Sequence, residues 1–215
     1  MRSRTPLRKA AAGTLIAILA VTVLAADQFT KILAIAELPP EEPVPVLGEF
    51  LQFYLVRNPG AAFSLGESVT WLFTIALAAV AVGIVWLALT RVTSRAWAVI
   101  LGLLLGGVLG NLTDRLLRAP GFPVGHVVDF ISTPWMMPAI YNVADIFIVT
   151  MMICVALLVL LGLRLDGTRE TRAEAEAAVD PEAAADPRAT VDPDATAEPD
   201  AAADPDRNDP GTPTR

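Results

Sequence analysis

Polar residues are spread very unevenly along this chain. Four long apolar runs cover residues 10–26, 69–89, 96–112 and 146–163. Each is about 17–21 residues long, which as α-helix reaches roughly 25–32 Å and covers a hydrocarbon core. The pattern predicts an all-α membrane protein with four transmembrane helices, at about residues 10–33, 69–89, 96–113 and 144–163. Gly102, Gly106, Gly107 and Gly110 in the third span point to close helix packing rather than phosphate binding. Cys154, in the middle of the fourth span, reads as a small packing residue. The first run has some marks of a cleaved signal peptide, with basic residues before it and Ala25-Ala26 at its end. It is long for such a segment, and polar residues of chemical interest follow it directly, so it is taken as a span.

The connections carry their own pattern. Arg2, Arg4, Arg8 and Lys9 precede the first span, Arg91 and Arg95 separate the second from the third, and Arg164, Arg169 and Arg172 follow the fourth. With four spans, all three clusters fall on one face, which is therefore expected to be cytoplasmic and to hold both termini. Two loops then lie outside. Residues 44–65 alternate apolar residues with Pro and Gly, which predicts short strands and turns on the outer membrane surface. Residues 117–140 contain Pro120, Pro123, Pro134 and Pro138 and are expected to be irregular. Trp135, Met136 and Met137 in that loop suit an interfacial position.

Charge sharpens the division of the chain. The formal net charge is -7. Residues 166–215, however, hold 14 acids and 5 bases, whereas residues 1–165 hold 9 acids and 11 bases. The acidity belongs to an Ala, Asp, Pro, Glu and Thr tail, expected to be a disordered cytoplasmic appendage. Residues 1–165 form a slightly basic, very apolar domain, which excludes a soluble acidic enzyme. No Lys/Arg stripe exists outside the membrane flanks, so no nucleic-acid partner is expected. A single Cys and a single His, His126, leave no disulfide framework and no multi-Cys or multi-His metal site, so no metal or cofactor is called for.

The domain has only four aspartates, Asp27, Asp114, Asp129 and Asp145. In the four-span topology all of them fall at the outer end. Carboxylates near a bilayer are costly, so such groups are usually paired or functional. Asp27 has Lys31 at the helical i+4 distance. Asp114 adjoins Arg115, with Asn111 one turn before it, which suggests a structural network. Asp129 and Asp145 have no basic neighbour in sequence. Two carboxyls sharing a proton can hydrolyse a peptide: the ionised one activates water, and the protonated one polarises the carbonyl and then protonates the leaving amine. Paired aspartates also serve proton or ion pathways, so a small transporter is the alternative. Its usual midplane charges and internal repeats are not seen in the pattern. A Ser64–Lys31 dyad is a further possibility, although Ser64 reads more simply as a turn cap. His126 reads as an ordinary loop residue.

Five segments together resemble a known family: Asp27-Gln28-Phe29-Thr30-Lys31, Asn58-Pro59-Gly60-Ala61-Ala62-Phe63-Ser64, Gly110-Asn111-Leu112-Thr113-Asp114-Arg115, Val127-Val128-Asp129-Phe130 and Tyr141-Asn142-Val143-Ala144-Asp145. In this order they are similar to the lipoprotein signal peptidases (signal peptidase II). These are four-helix aspartyl proteases of the bacterial cytoplasmic membrane. They remove the signal peptide of prolipoproteins just before a cysteine that carries diacylglyceryl. The resemblance implies that Asp129 and Asp145 are the catalytic pair. It implies that Asn58, Gly60, Asn111, Asp114, Arg115, Asn142 and Ala144 line or brace the site, and that Asp27 and Lys31 belong to the first motif. It further implies a small extracytoplasmic β-cradle around Asn58, lipid-modified prolipoproteins and membrane lipids as partners, and a monomer. Tyr141 stands where Phe is common. The tail lies outside the family pattern.

Overall fold

The computed structural model describes residues 7–60 and 70–169. The acidic tail beyond residue 169 and Ser64 lie outside the described residues. Eight elements follow one another: helix α1 (Lys9–Glu37), strands β1 (Pro43–Leu47) and β2 (Leu51–Asn58), helices α2 (Thr70–Thr90) and α3 (Arg95–Leu117), strands β3 (Val127–Ser132) and β4 (Ile140–Tyr141), and helix α4 (Val143–Leu160). All four helices are long and apolar enough to cross a membrane. Many of their large apolar side chains point outward, among them Val82 and Leu89 on α2 and Val149 and Leu160 on α4. In water such a surface would drive aggregation; in lipid it needs no cover.

α1 runs about one turn past the expected end of its span, because Ile35 and Ala36 continue its pattern. It stops at Leu38, which is extended, as a residue before the pair Pro39-Pro40 must be. Its buried stripe is Ala12, Ile16, Ala20, Val23, Asp27, Lys31 and Ala34. The spacing of three and four keeps one face turned inward throughout. The lower part of that face is therefore greasy and the upper part ionic.

α3 is the central helix. It packs on α1, α2 and α4, and it buries Trp97, Leu101, Leu104, Leu105 and Val108 in the main apolar core. Close approach depends on glycine. A Cβ added at Gly106 would stand 2.5 Å from Val23 Cβ and 2.8 Å from the Ala20 carbonyl oxygen. No side chain fits there, so α1 and α3 meet backbone against backbone.

The connecting segments meet at the two ends of the bundle. At one end the Leu7 N–H donates to the Thr93 carbonyl at 2.8 Å, and the Ser94 N–H donates to the Leu165 carbonyl at 3.1 Å. The Trp97 indole N–H donates to the Leu163 carbonyl at 3.0 Å. The segments flanked by the three basic clusters are thus neighbours. At the other end lies a four-stranded antiparallel sheet in the order β1-β2-β3-β4. Its underside closes on α1 through Ala34, Leu55, Val128 and Phe130.

The sheet corrects one expectation. Residues 117–140 are not irregular throughout, because β3 forms within them and pairs with β2. The apolar, β-branched run Val127-Val128-Asp129-Phe130-Ile131 is a strand signal, and the prolines of that loop lie outside it. At the rim of the sheet, the Phe50 and Trp135 rings stack with centroids 4.6 Å apart. The Trp135 indole also donates to the Phe50 carbonyl at 2.9 Å.

Candidate active site

The site forms where the ionic end of α1, the last turns of α3, the start of α4 and the β2–β3 pair come together. Each element delivers its side chains for a local reason. Asn142 is the N-cap of α4, and Asp145 is the third residue of that helix. They form a reciprocal capping box: the Asp145 N–H donates to Asn142 Oδ1 at 3.1 Å, and the Asn142 N–H donates to Asp145 Oδ2 at 3.0 Å. The box spends Asn142 Oδ1 on the helix and leaves Nδ2 free to turn outward. Nδ2 donates to Asp129 Oδ1 at 2.6 Å. One asparagine therefore touches both carboxylates.

The second oxygen of each carboxylate is held by another amide. Asn58 Nδ2 donates to Asp129 Oδ2 at 2.9 Å, and Asn111 Nδ2 donates to Asp145 Oδ1 at 2.8 Å. The register of β2 against β3, which pairs Val56 with Asp129 and Asn58 with Val127, brings Asn58 within reach. Each amide is oriented by what its own oxygen accepts. Asn58 Oδ1 accepts from the Gly60 N–H at 3.0 Å. Asn111 Oδ1 accepts from Lys31 Nζ at 3.0 Å and from Asn142 Nδ2 at 3.2 Å.

Asp129 on β3 is almost fully buried, at 2% exposure, whereas Asp145 is only partly buried. Burial, and then the negative charge of Asp145, push the Asp129 carboxyl up to about 7. The hydrogen bonds from Asn58 and Asn142 pull the other way without cancelling this. Near neutral pH the pair can therefore hold one proton between two carboxyls, one of them with access to solvent.

Lys31 anchors the supporting network. It is fully buried, 2.9 Å from Asp27 Oδ2 and 2.8 Å from Asp114 Oδ2. Asp27 Oδ1 accepts from the Ala144 N–H at 2.9 Å, which satisfies one of the free donors at the start of α4 and docks that helix on α1. Asp114 Oδ2 also accepts from the Val128 N–H at 3.2 Å, next to Asp129, so it fixes the height of β3.

Asp114 and Arg115 do not pair, contrary to what their adjacency suggests. Consecutive residues on a helix point about 100° apart. Asp114 meets Lys31 and Arg118, the latter at 2.5 Å. Arg115 turns to the loop instead and donates to four carbonyls: Asn58 at 3.2 Å, Pro59 at 2.9 Å, Gly60 at 2.9 Å and Gly125 at 3.0 Å. It thereby clamps the segment that presents Asn58.

Two network residues escaped the sequence reading. Gln28 Nε2 lies 3.1 Å from each of Asp27 Oδ2, Asp114 Oδ1 and the Gly110 carbonyl. Arg118 lies at i+4 from Asp114, the same signal that linked Asp27 to Lys31.

The chain was compared with known proteins. A family model described as signal peptidase (SPase) II matches residues 19–161. The chain belongs to the signal peptidase II family. Among relatives of this family, the lipoprotein signal peptidase of Leifsonia xyli subsp. xyli is 49% identical over 164 residues, 75% of either chain. That of Rhodococcus jostii is 49% identical over 73% of this chain and 77% of its own. A solved bacterial membrane enzyme, determined by the in meso method at 2.3 Å resolution, superposes with a TM-score of 0.63 at 26% identity. The match covers 80% of this chain and 100% of that one. A second, at 1.9 Å resolution, gives 0.59 at 30% identity over 69% and 93%. With four apolar helices, this signal peptidase II family member is a multi-pass bacterial membrane protein and a protease.

Proposed function

We propose that this protease hydrolyses its substrate with Asp129 and Asp145 acting as a dyad on one water molecule. The enzyme removes signal peptides from prolipoproteins, as its relatives' name and their identity support. The observation that carries the dyad is the Asn142 bridge, which donates to Asp129 through its side chain and to Asp145 through its backbone.

The division of labour follows from the surroundings. Asp145 sits in the first turn of α4, where the helix dipole and two N–H donors favour an anion, and it is open to solvent on one side. It takes a proton from water as the water oxygen attacks the scissile carbonyl carbon. Asp129 holds the proton of the pair and gives it to the carbonyl oxygen. In the second step Asp129, now ionised, takes a proton from the resulting diol, and Asp145 passes its own proton to the departing nitrogen. The C–N bond breaks, and one proton is again shared.

Asn58, Asn111 and Asn142 keep both carboxylates aligned. Gly60, Arg115, Asp27, Lys31, Asp114 and Ala144 hold the elements that carry them. The bond cut is the one N-terminal to a diacylglyceryl-modified cysteine. The basic end of the bundle faces the cytoplasm, and the sheet with both carboxylates faces outward. The lipid and the apolar signal peptide then reach the site laterally from the bilayer. One chain carries the whole site, so a monomer suffices.

The test is cleavage in vitro of a diacylglyceryl-modified prolipoprotein. Asp129→Asn and Asp145→Asn should each fold and lose turnover by about 10³-fold or more. Near-normal turnover in either variant would sink the dyad. The same prolipoprotein without its lipid should be a poor substrate, and equal turnover would remove the lipid from the recognition.

A further inference from the structure

A second cavity lies away from the carboxylates, at the end of the bundle opposite the sheet. α2 and α4 both pack on α3 and barely touch each other, which leaves a groove with α3 as its floor. The groove holds about 660 Å³. Trp97, Leu101 and Leu104 form the floor, with Leu87 of α2 and Val155 of α4 as walls. From Trp97 to Leu104 is seven residues of helix, so the groove runs about 10 Å along the bundle axis.

Its mouth is charged. Arg91 follows α2 directly and Arg164 follows α4, and both are exposed at the rim. Among the described lining residues Asp166 is the acid, and it lies within electrostatic reach of Arg164. Its Oδ1 accepts from the Thr168 N–H at 2.8 Å and from the Thr168 hydroxyl at 2.7 Å, which holds that oxygen on its own turn. The charged residues described at the mouth are thus two arginines and one aspartate.

We infer that this groove binds one anionic phospholipid, with an acyl chain along α3 and the phosphate between Arg91 and Arg164. The chain spans a membrane, so lipid is the medium that meets the groove. A guanidinium group matches a phosphate diester through paired N–H donors, and two of them line this mouth. Each arginine held at the end of a span attracts anionic headgroups.

The experiment uses the full-length protein in detergent and compares phosphatidylglycerol with phosphatidylcholine of the same chains by native mass spectrometry. Wild type should prefer phosphatidylglycerol. The variant carrying Arg91→Gln and Arg164→Gln should lose about fivefold of that preference per arginine, or roughly thirtyfold in all. Both side chains are exposed, so the variant should fold. Arg95→Gln, at the same end but not lining the groove, should leave the preference unchanged. Leu101→Trp, which fills the floor, should weaken both lipids. An unaltered preference in the double variant overturns the inference. So does an equal loss in Arg95→Gln, because the attraction would then belong to the whole basic end. If Leu101→Trp leaves lipid binding intact and raises KM for the prolipoprotein, the groove takes the signal-peptide helix and the lipid site is wrong.

Discussion

Asn142 Nδ2 stands 2.6 Å from Asp129 Oδ1, although Asn142 is the residue that starts α4 and Asp129 belongs to β3. A helix cap and an active-site bridge are therefore the same side chain. Asn142→Ala should cost about 1 kcal/mol of stability through the lost cap. Turnover should fall by about 10²-fold or more, as when a single oriented donor is removed from a catalytic site. Thermal unfolding and kcat on the same sample separate the two. A fall in kcat no larger than the stability loss explains would show that Asn142 only caps.

Asp129 titrates near 7, and the hydrogen bond from Asn58 lowers that value because it favours the ionised form. If the dyad works with one proton, activity declines as pH rises past 7 and the proton leaves. Asn58→Ala removes the donor, raises the Asp129 value further and should move the alkaline limb of kcat/KM to higher pH. The limb shifting downward, or staying in place while the rate falls, would contradict this.

The same burial makes Asp129 a source of pH-dependent stability. Its ordinary value is near 3.8 and its folded value about 7, so the folded state holds the proton more tightly. The stabilising contribution is complete below about pH 4, is lost as pH rises to 7, and changes no further above that. Unfolding midpoints in detergent should show Asp129→Asn gaining on wild type between those limits. A difference independent of pH would mean that Asp129 is not held protonated.

Lys31 is the buried counter-ion of two fully buried carboxylates. Lys31→Met strands Asp27 beside an apolar side chain and should destabilise the protein by about 3–5 kcal/mol. Pairing it with Asp27→Asn should recover part of that, since Asp114 keeps Arg118. Additive losses in the double variant would show that the pair is not coupled. Turnover should stay low in both variants, because Asn111 no longer has a cation to hold its amide toward Asp145.

Gly110 sits where α1, α3 and α4 converge. An added Cβ would stand 2.5 Å from Asp27 Oδ2 and 3.1 Å from Ala144 Cβ. Gly110→Ala should cost about 1–3 kcal/mol by overpacking and displace Asp27 from the Ala144 N–H. Gly83, with nothing within 4 Å of an added Cβ, is the control, and Gly83→Ala should be close to neutral. Similar effects at both positions would show that helix propensity, not crowding, sets the cost.

The four helices, the pairing of Asp27 with Lys31 and the basic flanks were all legible along the chain. Each is a local matter: hydropathy over one helical length, or an i+4 spacing on one face. Arg118 beside Asp114 was legible in the same way, by the same spacing. What local order could not decide was which way neighbouring side chains turn. Asp114 and Arg115 are adjacent in sequence but a helical step apart in direction, so one holds Lys31 and β3 while the other clamps the loop at Asn58. β3 was hidden among prolines because a strand needs its partner, and β2 lies about 70 residues earlier in the chain. The amides that hold Asp129 and Asp145 come from β2, α3 and the start of α4. Their hydrogen bonds form only once the glycines of α3 let the helices close, so that part of the site belongs to the tertiary structure alone.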